Sequence, residues 1–376
     1  MSFRSILAKV LARYVDHETS LWASRPVETQ QRVLKDLVSR ARDTTFGKDH
    51  GFESVHSHNE FVERVPIRDY EQLRLYFDRV VAGEQNVVWP GKPLYLAKTS
   101  GTTSGAKYIP ITKDSIPNHI NSARNALLSY VNETGNSQFL DGKMIFLSGS
   151  PELETKNGIH IGRLSGISNH FVPGYLRSNT LPSYETNCID DWEMKVDAIV
   201  NETLNERMTL ISGIPSWVQM YFDRIVEQTG KPIKEVFPDF SLFVYGGVNF
   251  EPYRTKIETT IGKQIDSVEL FPASEGFFAY QDKQGESGML LLLDSGIFYE
   301  FVPVDEVFSK NPTRLTIGQV EMNKDYAMVI SNNAGLWGYD LGDTVRFVSK
   351  YPYRIVVSGR GKHYISAFGE QVIAKE

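Results

Sequence analysis

Between Asp190 and Gly276 the chain switches repeatedly between two hydrophobic periods, and this alternation limits the folds open to it. A helical pattern over roughly 191–205 is followed by TLISGIP (209–215), an apolar run that predicts a buried strand. Trp217, Val218, Tyr221 and Ile225 then fall on one face of an amphipathic helix, with Gly230 after it. SLFVYGG (241–247) predicts a second buried strand, 252–261 another helix, and SVELFPASEG (267–276) a strand that runs into a turn. Apolar strands separated by helices of this size imply a parallel sheet with helical cover, an α/β body.

The flanks have other textures. Helical spacing dominates the first eighty residues or so: Val33, Leu34, Leu37, Val38 and Ala41 form one stripe, and Tyr70, Leu73, Phe77 and Val80 another that stops at Gly83. A short strand at Leu94–Ala97, a helix over 115–131 and a strand at 144–150 follow. Past Ala279, GMLLLLDSGIFYEFVPV predicts a hairpin turning at Asp294-Ser295-Gly296. Short strands at 326–331, 344–348 and 354–358 complete what reads as an antiparallel β lobe. The expected organisation is a helical region over 1–85, an α/β body over 86–279 and a β-rich lobe over 280–376. Nothing after Gly359 closes a domain, so a boundary is expected there.

Charge narrows the function. Forty basic residues against 46 acidic leave −6, with no basic stripe, which argues against nucleic-acid binding. Cys188 is the single cysteine, so no intrachain disulfide forms and a reducing compartment, by default the cytoplasm, is expected. Ile6, Val10, Leu11 and Tyr14 recur at helical spacing, with Arg4, Lys9, Arg13 and Asp16 elsewhere on the wheel. The stretch is too short and interrupted for a membrane span, and a helix docked on the body is expected. The oligomeric state is not legible.

The sharpest chemical signal is TSGTTSGAK, Thr99 to Lys107. Glycines that let backbone approach, hydroxyls that donate and a lysine suit a loop around phosphate, expected here between a strand and a helix. It is not the P-loop of NTPases: three residues, not four, separate Gly101 and Gly105, and Tyr108 follows Lys107. A plain surface loop is the alternative. FPASEG (271–276) brings Ser274 and Glu275 to the tip of a buried strand, where ligands of α/β sheets bind and a carboxylate can hold a hard cation. Tyr245-Gly246-Gly247 could form a flat purine slot. YDLGD (339–343) stands before a strand, with Gly359-Arg360 sixteen residues on; there an Asp can accept ribose hydroxyls and an Arg can neutralise phosphate, although by itself Asp343 reads more as a turn residue and only the combination carries weight. His50, His56 and His58 lie in a polar stretch without a cysteine nearby, a poor zinc set, and Cys188 is a poor nucleophile candidate.

Taken in order, TSGTTSGAK, YGG, FPASEG, YDLGD and GR resemble the core motifs of the adenylate-forming superfamily. More narrowly, the chain is similar to the auxin-responsive Gretchen Hagen 3 family of acyl acid amido synthetases, especially its bacterial branch. The supporting context is VPIRDYEQLRLYFDRVVAGEQNVVWPGKP, ISGIPSWVQMYFDRI and SGRGKHYISAFGEQV, and the likeness runs from about Phe46 onward.

The resemblance implies the large N-terminal domain of such an enzyme, with ATP and Mg2+ as cofactors. By it, Thr99, Ser100, Gly101, Thr102, Thr103, Ser104, Gly105 and Lys107 hold the β- and γ-phosphates, Lys107 being counted as catalytic. Tyr245, Gly246, Gly247, Phe271 and Pro272 line the adenine pocket; Ser274 meets the α-phosphate and Glu275 holds Mg2+. Asp343 binds the ribose with Arg360 beside it, and Trp217 or Tyr221 lines the acid pocket unless both are core residues. The implied reaction activates a carboxylic acid as acyl-AMP and passes it to an amino acid. Alternatives are coenzyme A or a carrier-protein thiol as acceptor, or a truncated, non-catalytic adenylate binder. Position 340 is Asp where the superfamily more often has Arg. The small mobile C-terminal domain, which carries a catalytic lysine, would begin just past FGEQV, so a truncated or proteolysed form is expected.

Overall fold

A computed structural model of the protein describes residues 3–99, 105–171, 177–360, 364–367 and 370–373. The longer helices are α1 (Phe3–Ala23), α2 (Pro26–Ala41), α3 (Tyr70–Val81), α4 (Ile116–Thr134), α5 (Trp192–Thr203), α6 (Pro215–Thr229) and α7 (Glu251–Ile261). The strands that concern the site are β1 (Tyr95–Thr99), β2 (Lys107–Ile111), β3 (Lys143–Phe146), β4 (Thr180–Leu181), β5 (Met208–Ser212), β6 (Leu242–Gly246), β7 (Asp266–Ala273) and β8 (Gly276–Tyr280). They continue with β9 (Met289–Leu291), β10 (Ile297–Pro303), β11 (Asp325–Asn332), β12 (Tyr339–Lys350) and β13 (Tyr353–Arg360). Among the described residues no helix is long and apolar enough to cross a membrane. The chain divides into two compact units.

One unit comprises Met1–Glu18, His119–Glu154 and Ile161–Glu286. Its strands lie in the order β8-β7-β6-β5-β3-β4. β4, β3, β5, β6 and β7 are mutually parallel, as the alternating pattern requires, and β8 folds back antiparallel on β7. β5 and β6 are buried at four of their five positions, the signature of strands covered on both faces. Val196, Ile199, Val218, Phe222 and Ile257 from the helices pack on Ile211 and Phe243 in one apolar core. Gly230 ends α6 in the left-handed conformation, φ 67°, and its N–H caps Val226.

α1 departs from expectation. Its buried side is Ser5, Ala8, Ala12 and Val15, whereas Ile6, Val10, Leu11 and Tyr14 face outward. Small residues let the helix backbone approach its support closely, and Ser5 Oγ donates to the Ser137 carbonyl and to Asp141.

The other unit comprises Thr19–Asn118, Thr155–His160 and Ser287–Glu376. An antiparallel array in the order β10-β11-β12-β13-β9 is its main sheet. The expected hairpin about Asp294-Ser295-Gly296 is therefore not formed: β9 pairs with β13 and β10 with β11, so the two arms find partners far along the chain. Trp337, fully buried, anchors the core of this unit. Its ring lies 4.8 Å from Phe52, 5.9 Å from Phe46 and 6.2 Å from Trp89, and its indole N–H donates to the Val88 carbonyl at 2.9 Å.

A buried charge cluster joins three distant segments here. Glu300, wholly buried, accepts from Arg314 Nε at 2.9 Å and Nη2 at 2.5 Å, and sits 2.7 Å from His58 Nε2. Burial alone pushes such a carboxyl up, but His58 and Arg314 hold it below its ordinary value. This is where His58 goes. His50 stacks on Phe46 at 3.9 Å, and its Nδ1 is hydrogen-bonded to the Phe46 carbonyl. Among the described residues no group of three or more His, Cys, Asp and Glu is placed to hold a metal.

Candidate active site

In the first unit, the carboxyl ends of the parallel strands gather the expected residues. β6 ends at Gly246, and a Cβ there would meet the Leu270 carbonyl oxygen at 2.4 Å and Pro272 Cδ at 3.2 Å. Only glycine lets β6 and β7 approach so closely, in a register that sets Gly246 opposite Leu270. Gly247 follows at φ 84° and turns the chain out of the sheet. The neighbouring strand β7 carries Phe271, Pro272 and Ala273 to its end, and Ser274-Glu275 form the two-residue loop into β8. Phe271 is buried against Phe278 at 5.2 Å, edge to face. Pro272, Ser274 and Glu275 are half-buried. Two glycines close one strand, and the next runs on past them through Phe271–Ala273 to a serine and a carboxylate, at the carboxyl ends where α/β sheets bind ligands.

Tyr245 is placed differently from a purine-stacking ring. It is 5% exposed and packs on Phe250 at 4.4 Å and Phe243 at 5.2 Å. Burial pushes its hydroxyl up to about 12, so it stays protonated.

Tyr221 and Trp217 separate on α6. Tyr221 is fully buried, and its hydroxyl pairs with Thr203 Oγ1 at 2.7 Å inside the apolar core. Trp217 is only partly buried and stacks at a tilt on Trp192 at 4.5 Å. Of the two, Trp217 keeps a face that a substrate could touch.

In the second unit, β1 and β2 are antiparallel, and Thr99 stands directly opposite Lys107. The glycine-rich segment therefore joins two strands, not a strand to a helix; the run Tyr108–Ile111 pairs with Tyr95–Lys98 before α4 begins. Ser100, Gly101, Thr102, Thr103 and Ser104 lie outside the described residues. Gly105 has φ 99° and open space where a Cβ would stand.

Tyr70, which the sequence pattern assigns only to a buried helix face, supports the base of this hairpin. Its hydroxyl accepts the Tyr108 N–H at 2.9 Å, and the Lys107 ammonium lies 5.5 Å from its ring centroid. Burial raises the Tyr70 pKa, which keeps the ring neutral. The Asp69–Gln72 capping box marks the helix start in the sequence but does not reveal this pairing.

The YDLGD segment lies inside β12, not in a turn ahead of a strand. Asp343 is paired in register with Arg360 of β13, and Thr344 with Gly359. Asp340 shapes the segment: its carboxylate accepts the Gly342 N–H at 3.0 Å, and its own N–H donates to the Arg68 carbonyl at 2.9 Å. Gly342, at φ 83°, and a bulge after Thr344 kink the strand there. Thr112 Oγ1 donates to the Asn333 carbonyl at 2.7 Å, and Asn333 Nδ2 donates to the Asp114 carbonyl at 2.8 Å. These bonds tie the chain after β2 to the chain before Trp337.

The profile of the GH3 family N-terminal domain matches residues 17–171, and that of the GH3 family central domain matches residues 290–360. The chain belongs to the GH3 family. Among relatives, a jasmonoyl–L-amino acid synthetase, JAR4 of Nicotiana attenuata, is 20% identical over 84% of this chain and 66% of its own length. An indole-3-acetic acid-amido synthetase, GH3.15 of Arabidopsis thaliana, is 32% identical over 36% of this chain and 22% of its own length. This GH3 chain thus spans less than two thirds of the length of either of these two relatives. The fold is similar to the solved AtGH3.15 acyl acid amido synthetase in complex with 2,4-DB: TM-score 0.79 at 16% identity, over 96% of this chain and 73% of that one. It is also similar to an open conformation of 2-hydroxyisobutyryl-CoA ligase, TM-score 0.59 at 12% identity, over 91% of this chain and 76% of that one. The fold is that of the adenylate-forming enzymes.

Proposed function

We propose that this GH3 chain belongs to an ATP-dependent ligase that activates a carboxylic acid as acyl-AMP and conjugates it to an amino acid. The observation that carries the reading is the pair of strand ends in the first unit. Gly246-Gly247 offer bare backbone to a flat base, and Ser274-Glu275 on the adjoining strand offer a hydroxyl and a carboxylate. Phe271 and Pro272 would border the base, with Ser274 at the α-phosphate.

A single half-buried carboxylate fits Mg2+ as it usually binds with nucleotides, through one or two carboxylates and the phosphates themselves. Glu275 would be that ligand, and the ion when bound neutralises phosphate charge. Thr99, Gly105 and Lys107, with the loop between them, would hold the β- and γ-phosphates. Asp343 would accept the ribose hydroxyls with Arg360 nearby, and Trp217 would border the acid. In the first step a carboxylate oxygen attacks the α-phosphorus and pyrophosphate leaves. In the second the amine attacks the acyl carbonyl and AMP leaves. The residues named contribute position and charge, and none forms a covalent intermediate.

The names of the GH3 relatives, which join acids to amino acids, support the amino acid as acceptor over coenzyme A. We place the reaction in the cytoplasm, which suits the free Cys188. Incubation with ATP, Mg2+, a panel of carboxylic acids and either amino acids or coenzyme A tests the reading by mass spectrometry. An amide with AMP is expected. A thioester alone would move the acceptor assignment, and no acyl-AMP from any acid would overturn the proposal.

A further inference from the structure

The strand order β7-β6-β5-β3-β4 contains a reversal. After β3 the chain passes to β4 on one side, then returns to β5 on the other. The carboxyl ends of β3 and β5 are therefore the switch point of this sheet, where α/β folds open a crevice for ligands. Close contacts make one floor from there to Gly246-Gly247. A Cβ on Gly149, just past β3, would stand 3.0 Å from Arg163 Cδ. One on Gly213, just past β5, would stand 3.0 Å from Leu147 Cβ, and one on Gly247, past β6, 3.9 Å from Ile214 Cγ1.

The β3 end of this floor is cationic. Lys195, on α5, is 3% exposed, and its ammonium donates to the Ser148 carbonyl at 3.0 Å and the Asn187 carbonyl at 2.6 Å. Burial lowers its pKa and Arg163 adds to that, while Cys188 and Asp190 act the other way. Neither Lys195 nor Arg163 forms an ion pair among the described residues. Asp190 is exposed, as is Arg163, whose guanidinium is thus open to a ligand. A buried cation without a carboxylate is costly unless another group supplies negative charge. Between this end and β6 the floor is apolar, with Leu147, Ile214 and the partly buried Trp217.

We propose that the β3 end of the switch point binds an anionic group at the far end of the acid substrate, so that the ligase acts on acids with a second carboxylate beyond an apolar spacer. The proposal rests on the ligase reading, which puts the reacting carboxylate near the ends of β6 and β7. Arg163 meets the second carboxylate. Lys195 is a positioning residue that fixes the Ser148-Gly149 strand end and adds positive charge behind it. β3 and β6 are two strand spacings apart, roughly 10 Å, which an extended chain of about eight carbons spans.

Calorimetric titration with octanedioate, octanoate and butanedioate, AMP being present, reads this site apart from acyl transfer. Octanedioate should bind at least about tenfold more tightly than either of the others, the range of a hydrogen bond to a charged group. Arg163→Gln, at an exposed position that should leave the fold intact, should erase the difference between octanedioate and octanoate. Lys195→Met should weaken octanedioate more than octanoate, a split that loosened packing alone would not give. Equal binding of octanedioate and octanoate, binding of neither, or a preference that survives Arg163→Gln would each overturn the proposal. Octanedioate bound with that preference but never converted to acyl-AMP would uphold the site and count against the ligase reading alone.

Discussion

Asp343 and Arg360 stand opposite each other across the antiparallel pair of β12 and β13, sixteen residues of intervening strand and turn bringing them into register. The two residues are thus paired in backbone register at the point where Gly342 and a bulge kink the sheet.

If Asp343 accepts the ribose hydroxyls, Asp343→Ala should weaken ATP binding by roughly 10- to 100-fold, the range of hydrogen bonds to a charged group. The residue is only half-buried, so thermal stability should change little. Titration calorimetry beside a thermal melt checks both. An unchanged dissociation constant would remove Asp343 from the site.

The Glu300 cluster should show in acid. Its carboxyl is held below the ordinary value, so the unfolded chain takes up a proton before the folded one does. The stability it contributes is complete above the unfolded value of 4.5 and is lost as pH falls through the lower folded value. Glu300→Gln leaves Arg314 buried with a neutral partner and should cost about 3–5 kcal/mol near neutrality. The variant should also lose part of the wild-type dependence below pH 4.5. Urea unfolding at neutral and acid pH measures both effects.

Much of the parallel body was legible. In TLISG and SLFVYG apolar residues stand side by side instead of alternating with polar ones, as strands covered on both faces need. Pairing was harder, because partners chosen across the chain leave no local trace: β9 and β10 look like a hairpin and yet pair with β13 and β11. β2 was missed because Pro110 and the polar loop before it mask a short strand. His58, Glu300 and Arg314 come together from distant segments that no motif links. Tyr221 and Tyr245 have the residue types of a ligand pocket, but their rings complete the core. Gly246 differs from these rings, because the close approach of two strands, and not a side chain, requires glycine there.

Gly246→Ala tests that backbone dependence. Its Cβ would fall 2.4 Å from the Leu270 carbonyl oxygen, so β6 and β7 must move apart. We expect a destabilisation of about 1–3 kcal/mol, as for overpacked sites, and weaker ATP binding than that loss alone would produce. A Gly246→Ala chain as stable as the wild type, with unchanged ATP affinity, would contradict the close-approach reading.

The central claim is that this chain holds ATP for acyl transfer, and calorimetric titration with ATP and Mg2+, beside GTP, tests it most directly. The account predicts saturable, ATP-selective binding in the micromolar range that Asp343→Ala and Glu275→Ala both weaken. A folded chain that binds neither nucleotide, or binds both alike, would contradict it.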